Sequence, residues 1–256
     1  MLSIKELRDK CQGSKIKYDT WYGKHFARKV SIYLTFVFIK LGFSANTVTG
    51  LFLFSGIVSA ILFSLGSRTS MLAGALVLQL WYILDHSDGE VARYRDEVSL
   101  TGSYFDYLTH YIVHPLVFIG LGWGFLKSTG NMGYLLSGIT GAFGMMICGL
   151  ISDLKEIVAY RSKKVYPGAD IIRGQQGKKV STSLASRIFS AVYIAVTFPV
   201  IMNTIAVFSL VDFLFRIRIT AAVLVFYSVL ISMIWVLRMI VIISKRRVDA
   251  EINISY

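Results

Sequence analysis

Asp85, Asp88, Asp106, His110 and His114 lie close together in the chain. Asp85 and Asp88 are three apart, so a helix places them on one face. Gly102, Asp106, His110 and His114 follow one another at intervals of four and form a second helical stripe. Carboxylates gathered on two facing stripes repel one another unless cations neutralise them. Hard divalent ions such as Mg²⁺ and Mn²⁺ prefer such oxygen ligands and keep positions open for phosphate oxygens. Gly89 and Ala92 are small and leave room for a ligand or a neighbouring helix. Arg93 adds a planar, bidentate phosphate donor. The chemistry expected of this set is metal-assisted work on a diphosphate.

The elements that must position these side chains are read from hydropathy. Hydrophobic residues make up 55% of the 256 residues and charged residues only 16%. A soluble globular chain carries about 25% charged residues. This excess of apolar side chains needs lipid as a second apolar solvent, which excludes a soluble enzyme, a disordered chain and a disulfide scaffold. Cys11 and Cys148 are too differently placed to predict a disulfide. Residues 1–29 are polar and basic, with no signal peptide.

Six spanning helices are expected: Thr47–Gly66, Ser70 through Asp85 and Asp88 to near Tyr94, Ser99–Leu126, Asn131–Ser152, Ile188–Val211 with a kink at Pro199, and Ile219–Leu237 continuing to Ser244. Val30–Ile39 is too short to span. With Trp21, Tyr22 and several cations before it, it reads as an amphipathic interfacial helix, or as a short helix partly buried in the protein. The fold class is therefore all-α integral membrane. It divides into a leader with the interfacial helix (1–46), a transmembrane catalytic unit (47–244) with a basic loop (159–186), and a tail (245–256).

The net charge is +12. With six spans, 23 of the 27 Lys and Arg residues fall on one side, leaving Arg68, Lys127, Arg216 and Arg218 on the other. The positive-inside rule then places both termini and the acidic stripes on the cytoplasmic side. The basic stretch Arg161, Lys163, Lys164, Arg173, Lys178 and Lys179 reads as topology signal and attraction to anionic lipid, with a phosphorylated acceptor as the competing reading. No nucleic-acid partner is expected. His86 and Glu90 point off the acidic face and read as structural. Asp153 and Glu156 face the pocket or pair with Lys155 or Arg161. Gly50, Gly56, Gly141 and Gly144 read as helix-packing positions.

Asp85-His-Ser-Asp88-Gly89-Glu-Val-Ala92-Arg93, then Gly102, Asp106 and His110, resembles the signature of the CDP-alcohol phosphatidyltransferases, D-x₂-D-G-x₂-A-R-x₈-G-x₃-D-x₃-D. Seven of the eight fixed positions match with the spacing intact. The resemblance implies six membrane helices, a homodimer, two Mg²⁺ or Mn²⁺ ions, and release of CMP as an alcohol attacks a CDP-linked phosphate. CDP-diacylglycerol is the favoured donor and a small alcohol or alcohol phosphate the acceptor, in phospholipid biosynthesis at a bacterial or archaeal inner or plasma membrane. A soluble CDP-alcohol donor with a lipid acceptor is the variant. Asp85, Asp88, Asp106 and His110 would hold metal. Gly89, Ala92, Arg93 and Gly102 would line the CDP site. Asn46 and Thr49 match the family's P-N-x-x-T pattern without its proline, and read equally as an N-cap and a polar helix start. Asp106 and His110 are the catalytic candidates.

His110 stands where the family has a fourth Asp. It replaces that Asp as ligand or base, or it supports a ligand while His114 or a carboxylate serves, or the chain is poorly active. A neutral imidazole can ligate a metal and accept a proton near neutral pH. Two other classes compete. A prenyltransferase also binds Mg²⁺-diphosphate, but lacks the D-G-x₂-A-R continuation. A cation or proton transporter would place its acids nearer the midplane and show repeats.

Overall fold

The computed structural model describes residues 3–13, 16, 19–165, 192 and 194–244. Among them every regular element is helical: α1 (Ile4–Gln12), a π-helical turn (Gly23–Ala27), α2 (Arg28–Lys40), α3 (Ala45–Ser64), α4 (Arg68–Arg95), α5 (Leu100–Thr129), α6 (Met132–Val165), α7 (Phe198–Phe215) and α8 (Ile219–Ser244). Five of these, α3 and α5 through α8, are long and apolar enough to cross a membrane. α4 matches them in length, about 42 Å at 1.5 Å per residue, but carries the acidic motif and two arginines in its last turns. The protein is an all-α integral membrane protein.

α3, α4 and α5 make the frame of the site. Each begins at a serine in extended backbone whose side chain caps the first turn: Ser44, Ser67 and Ser99 accept from Thr47 N, Ser70 N and Gly102 N. α4 ends at Asp96 in the left-handed region, φ 57°. Ser99 starts α5 only three residues later, so the two acidic stripes are held side by side. Small residues bring α3 and α5 together. A Cβ at Gly120 would collide with the Ala60 carbonyl oxygen, and one at Gly124 with the Phe63 carbonyl oxygen. Gly56 abuts Val113 and Trp81 in the same seam. Trp81, Phe52, Val113, Val117 and Phe118 fill the core between the three helices.

Several expectations need correction. The leader holds a helix besides the expected one over Val30–Ile39. Ser3 and Glu6 form a reciprocal capping box that starts α1. α1 buries Leu7 and Cys11 against Ile32 of α2. α2 turns Ser31, Ile32 and Thr35 inward while Tyr33 and Val37 stay exposed. The helix expected over Ile188–Val211 runs from Phe198 to Phe215. Thr197 is extended, and Pro199 sits in the first turn, where its missing N–H removes no helical bond. Residues 192, 194 and 195 are helical as well, so the expected span breaks at Val196 and Thr197, just before Pro199, and restarts there instead of kinking. Gly141 and Gly144 do pack, against Phe118 and Ser228 and against Ile231, but Gly50 has no neighbour within 4 Å of a built Cβ. The basic loop beyond residue 165 and the tail from residue 245 lie outside the described residues, as do the side chains of Lys155, Glu156, Lys163 and Lys164.

Candidate active site

A cavity of about 450 Å³ opens among α3, α4 and α5. Asn46 and Thr49 line it from α3, Asp88, Gly89, Ala92 and Arg93 from α4, and Gly102 and Asp106 from α5. All six residues expected to bind the CDP moiety therefore share one space with two of the acids. The walls also include Glu97, Val98, Ser99 and Ser103, which the motif does not mark. The first turns of α3 and α5 both form part of this wall. Helix N-termini favour negative charge; that of α3 is taken by Glu97, which accepts from Ala45 N at 3.2 Å, so the start of α5 and Arg93 are left to meet an anion beside the carboxylates of Asp88 and Asp106.

Three of the four expected metal ligands converge. Ligand atoms of Asp85, Asp106 and His110 lie within 4.8 Å of one another. His110 Nε2 stands 3.2 Å from Asp85 Oδ1 and 3.4 Å from Asp106 Oδ1. Asp106 Oδ1 is buried and makes no hydrogen bond. A buried, unsatisfied carboxylate oxygen beside a second carboxylate fits a divalent cation. Asp88 is outside this cluster. It accepts from Thr49 Oγ1 at 2.9 Å and from the N–H of Gly89. It lines the cavity all the same. The single hydroxyl proton of Thr49 is shared with the Ala45 carbonyl, 3.1 Å away. The N-cap of α3 is Ser44, so Asn46 does not cap the helix but sits in its first turn at the cavity wall.

Arg93 lies along its own helix. A Cβ built at Gly89 would come 3.2 Å from Arg93 Nη1. The guanidinium therefore covers Gly89, and the room that glycine leaves is taken by Arg93. Gly102 faces Asn46 Oδ1 across the cavity, 3.6 Å from a built Cβ.

His110 has a dry side and a histidine neighbour. The rings of Phe52 and Trp81 meet it edge-on at 5.3 and 5.4 Å. Its Nδ1 is 3.4 Å from His114 Nε2, and His114 stacks on Phe198. A second cavity of about 230 Å³ opens on that side, between α5 and α6. His110, His114, Tyr111, Pro115, Met145 and Met146 line it. Asp153 is there too, and accepts from Tyr111 Oη at 2.6 Å.

A family model for CDP-alcohol phosphatidyltransferases matches residues 43–211. The chain belongs to the CDP-alcohol phosphatidyltransferase family. Comparison with curated proteins gives no match. The protein is thus a transferase acting on a CDP-linked alcohol. The family is in general metal-dependent, and the Asp85–Asp106–His110 cluster of this transferase offers a place for the ion.

His86 and Glu90, the motif residues between the family's fixed positions, turn away from the cavity. His86 Nε2 is 3.3 Å from Asp19 Oδ2. Glu90 is fully buried and accepts from Gln12, Ser31 and Thr35. Sequence reasoning marks both as structural but not their partners, because those partners come from a leader whose folding it does not anticipate.

Proposed function

We propose that the protein transfers a substituted phosphate from a CDP-linked donor, CDP-diacylglycerol in the favoured case, to the hydroxyl of a small alcohol or alcohol phosphate, releasing CMP. One observation carries this reading. Asn46, Thr49, Gly89, Ala92, Arg93 and Gly102 line one cavity, and Asp106 joins that cavity to the carboxylate–histidine cluster. Asp85, Asp88 and Asp106 would supply the oxygen ligands of Mg²⁺ or Mn²⁺. The bound ions would neutralise the diphosphate and polarise its phosphorus–oxygen bonds. Arg93 and the N-terminus of α5 would bind the same charge.

His110 is the proposed base. Its Nε2 serves one role at a time, so the ligand and base roles are alternatives, and we assign it the proton. With the Asp85 and Asp106 oxygens engaged by the ions instead of by Nε2, which faces them at 3.2 and 3.4 Å, the acceptor hydroxyl would give its proton to His110 Nε2 as its oxygen forms a bond to phosphorus. The anhydride oxygen–phosphorus bond breaks, with its electron pair leaving on CMP. The rings of Phe52 and Trp81 exclude water from one side of the imidazole. Placement of the site at the cytoplasmic face, six spans and the homodimer that the resemblance implies belong to the same proposal.

A second reading has a soluble CDP-alcohol as donor and a lipid as acceptor. The second cavity favours it, since Met145, Met146 and Pro115 give it an apolar wall beside His110. One assay tests both: purified protein with Mn²⁺ or Mg²⁺, and CMP release measured from CDP-diacylglycerol with a panel of polyols, and from CDP-alcohols with diacylglycerol. CMP formed only in the second arm selects the second reading. No CMP from any CDP donor overturns both.

A further inference from the structure

The family match begins at residue 43, so α1 and α2 lie outside it. Yet these helices grip the motif helix at two points one turn apart. At the first, the Cys11 carbonyl at the end of α1 accepts from Arg93 Nε at 2.6 Å. At the second, the Glu90 carboxylate takes three hydrogen bonds. Gln12 Nε2 and Ser31 Oγ donate to Oε1 at 2.7 and 2.8 Å, and Thr35 Oγ1 donates to Oε2 at 2.7 Å. Gln12 Nε2 also donates to the Arg28 carbonyl, which ties α1 to α2.

A carboxylate buried in this way is costly unless each oxygen is satisfied. Here every partner but the carboxylate itself comes from α1 or α2. The bond to Cys11 uses up the Nε of Arg93 and leaves the two Nη groups over Gly89, at the wall of the cavity. Without that bond the long side chain regains its rotamer freedom and must be ordered again at each binding event.

We propose that α1 and α2 form a clamp that aims Arg93 at the donor's diphosphate, with Gln12, Thr35 and Glu90 as positioning residues. The proposal rests on the CDP-donor reading of the cavity. It requires that weakening the clamp act through Arg93 and nowhere else.

The test is a double-mutant cycle in the full-length protein. Gln12→Leu removes one anchor of the clamp. It should raise the donor KM about tenfold, with kcat changed less than threefold. Arg93→Lys has no Nε–H for the Cys11 carbonyl, so in that background Gln12→Leu should add less than a twofold change. Equal multiplication of KM in both backgrounds overturns the proposal, because the leader would then act through general stability. Thr35→Val provides the same cycle should Gln12→Leu not fold, and Thr35→Ser should keep the parental KM. Equilibrium binding of CDP itself separates the two levels of inference. Weakening of CDP binding by Gln12→Leu only when Arg93 is present supports the clamp even if no transfer of any donor is seen. No effect on CDP binding, with donor KM also unmoved, overturns it.

Discussion

At the scale of single residues, the informative fact is one substitution in an otherwise intact signature. A carboxylate at position 110 would bring a third negative charge beside Asp85 and Asp106. The imidazole brings none, and its Nε2 bridges the two at 3.2 and 3.4 Å. The neighbouring His114 and the rings of Phe52 and Trp81 restrict how that ring can turn. If it is the base, His110→Ala should lower kcat by roughly 10²–10⁴-fold. His86→Ala, whose ring faces Asp19, should stay within about tenfold of the parent. His110→Asp restores the family's residue and should retain turnover in Mg²⁺ or Mn²⁺. CMP-release kinetics of the purified variants decide this, and equal activity of the two alanine variants removes His110 from the mechanism. The gathering of Asp85, Asp106 and His110 is legible in the sequence because i, i+4 spacing puts Asp106 and His110 on one face of α5 and the short turn after α4 sets Asp85 beside them. The turning of Asp88 toward Thr49 is not, since it depends on the approach of α3, which the spacing within α4 cannot encode.

At the scale of elements, the site depends on how closely α3 and α5 approach. Gly124 and Gly50 make opposite predictions. A methyl group at Gly124 would meet the Phe63 carbonyl, which belongs to a helix backbone and cannot step aside. Gly124→Ala should therefore destabilise by about 1–3 kcal/mol, as overpacking does, and should reduce activity as α3 is displaced. Gly50→Ala meets nothing within 4 Å. It should be neutral, or stabilising by up to about 1 kcal/mol through helix propensity. Thermal unfolding in detergent, read beside CMP release, checks both. The start of α5, the turn before it and the course of α4 are readable from the chain because capping serines and hydropathy mark them. The start of α7 is not, because Pro199 is compatible with a kink or with a first turn. α1 is hard to see although Ser3 and Glu6 carry the capping-box spacing, because that helix is polar and gains its stability from burial of Leu7 and Cys11 against α2.

At the scale of the whole molecule, the leader and the membrane unit behave as one body. Asp19, through His86, is one electrostatic link between them, beside the Lys10–Asp96 and Arg28–Glu90 pairs. Burial opposes its ionisation, but His86 and Arg28 outweigh burial and hold its carboxyl below the ordinary value. A lowered carboxylate pKa contributes stability that is complete above the unfolded value, about 3.9, and is lost as pH falls through the folded value. Asp19→Asn should cost about 1.5–3 kcal/mol at neutral pH, the range for hydrogen bonds to charged groups. The gap from the parent should close only below about pH 4, and a gap that instead closed near pH 6 would assign the effect to a histidine. The +12 net charge makes the last prediction. If six helices cross, the 23 cations of one face share a compartment with the leader, the acidic cluster and the tail, and the other loops hold four. Moving that many cations across a bilayer is opposed at every segment. Cysteines placed at Ser128 and at Ser255 of a variant lacking Cys11 and Cys148 should then label differently. An impermeant maleimide applied to intact cells should reach position 128 and not position 255. Labelling of both from outside would require an even number of crossings between the two positions, where α6, α7 and α8 give three, and would leave the charge asymmetry without its explanation.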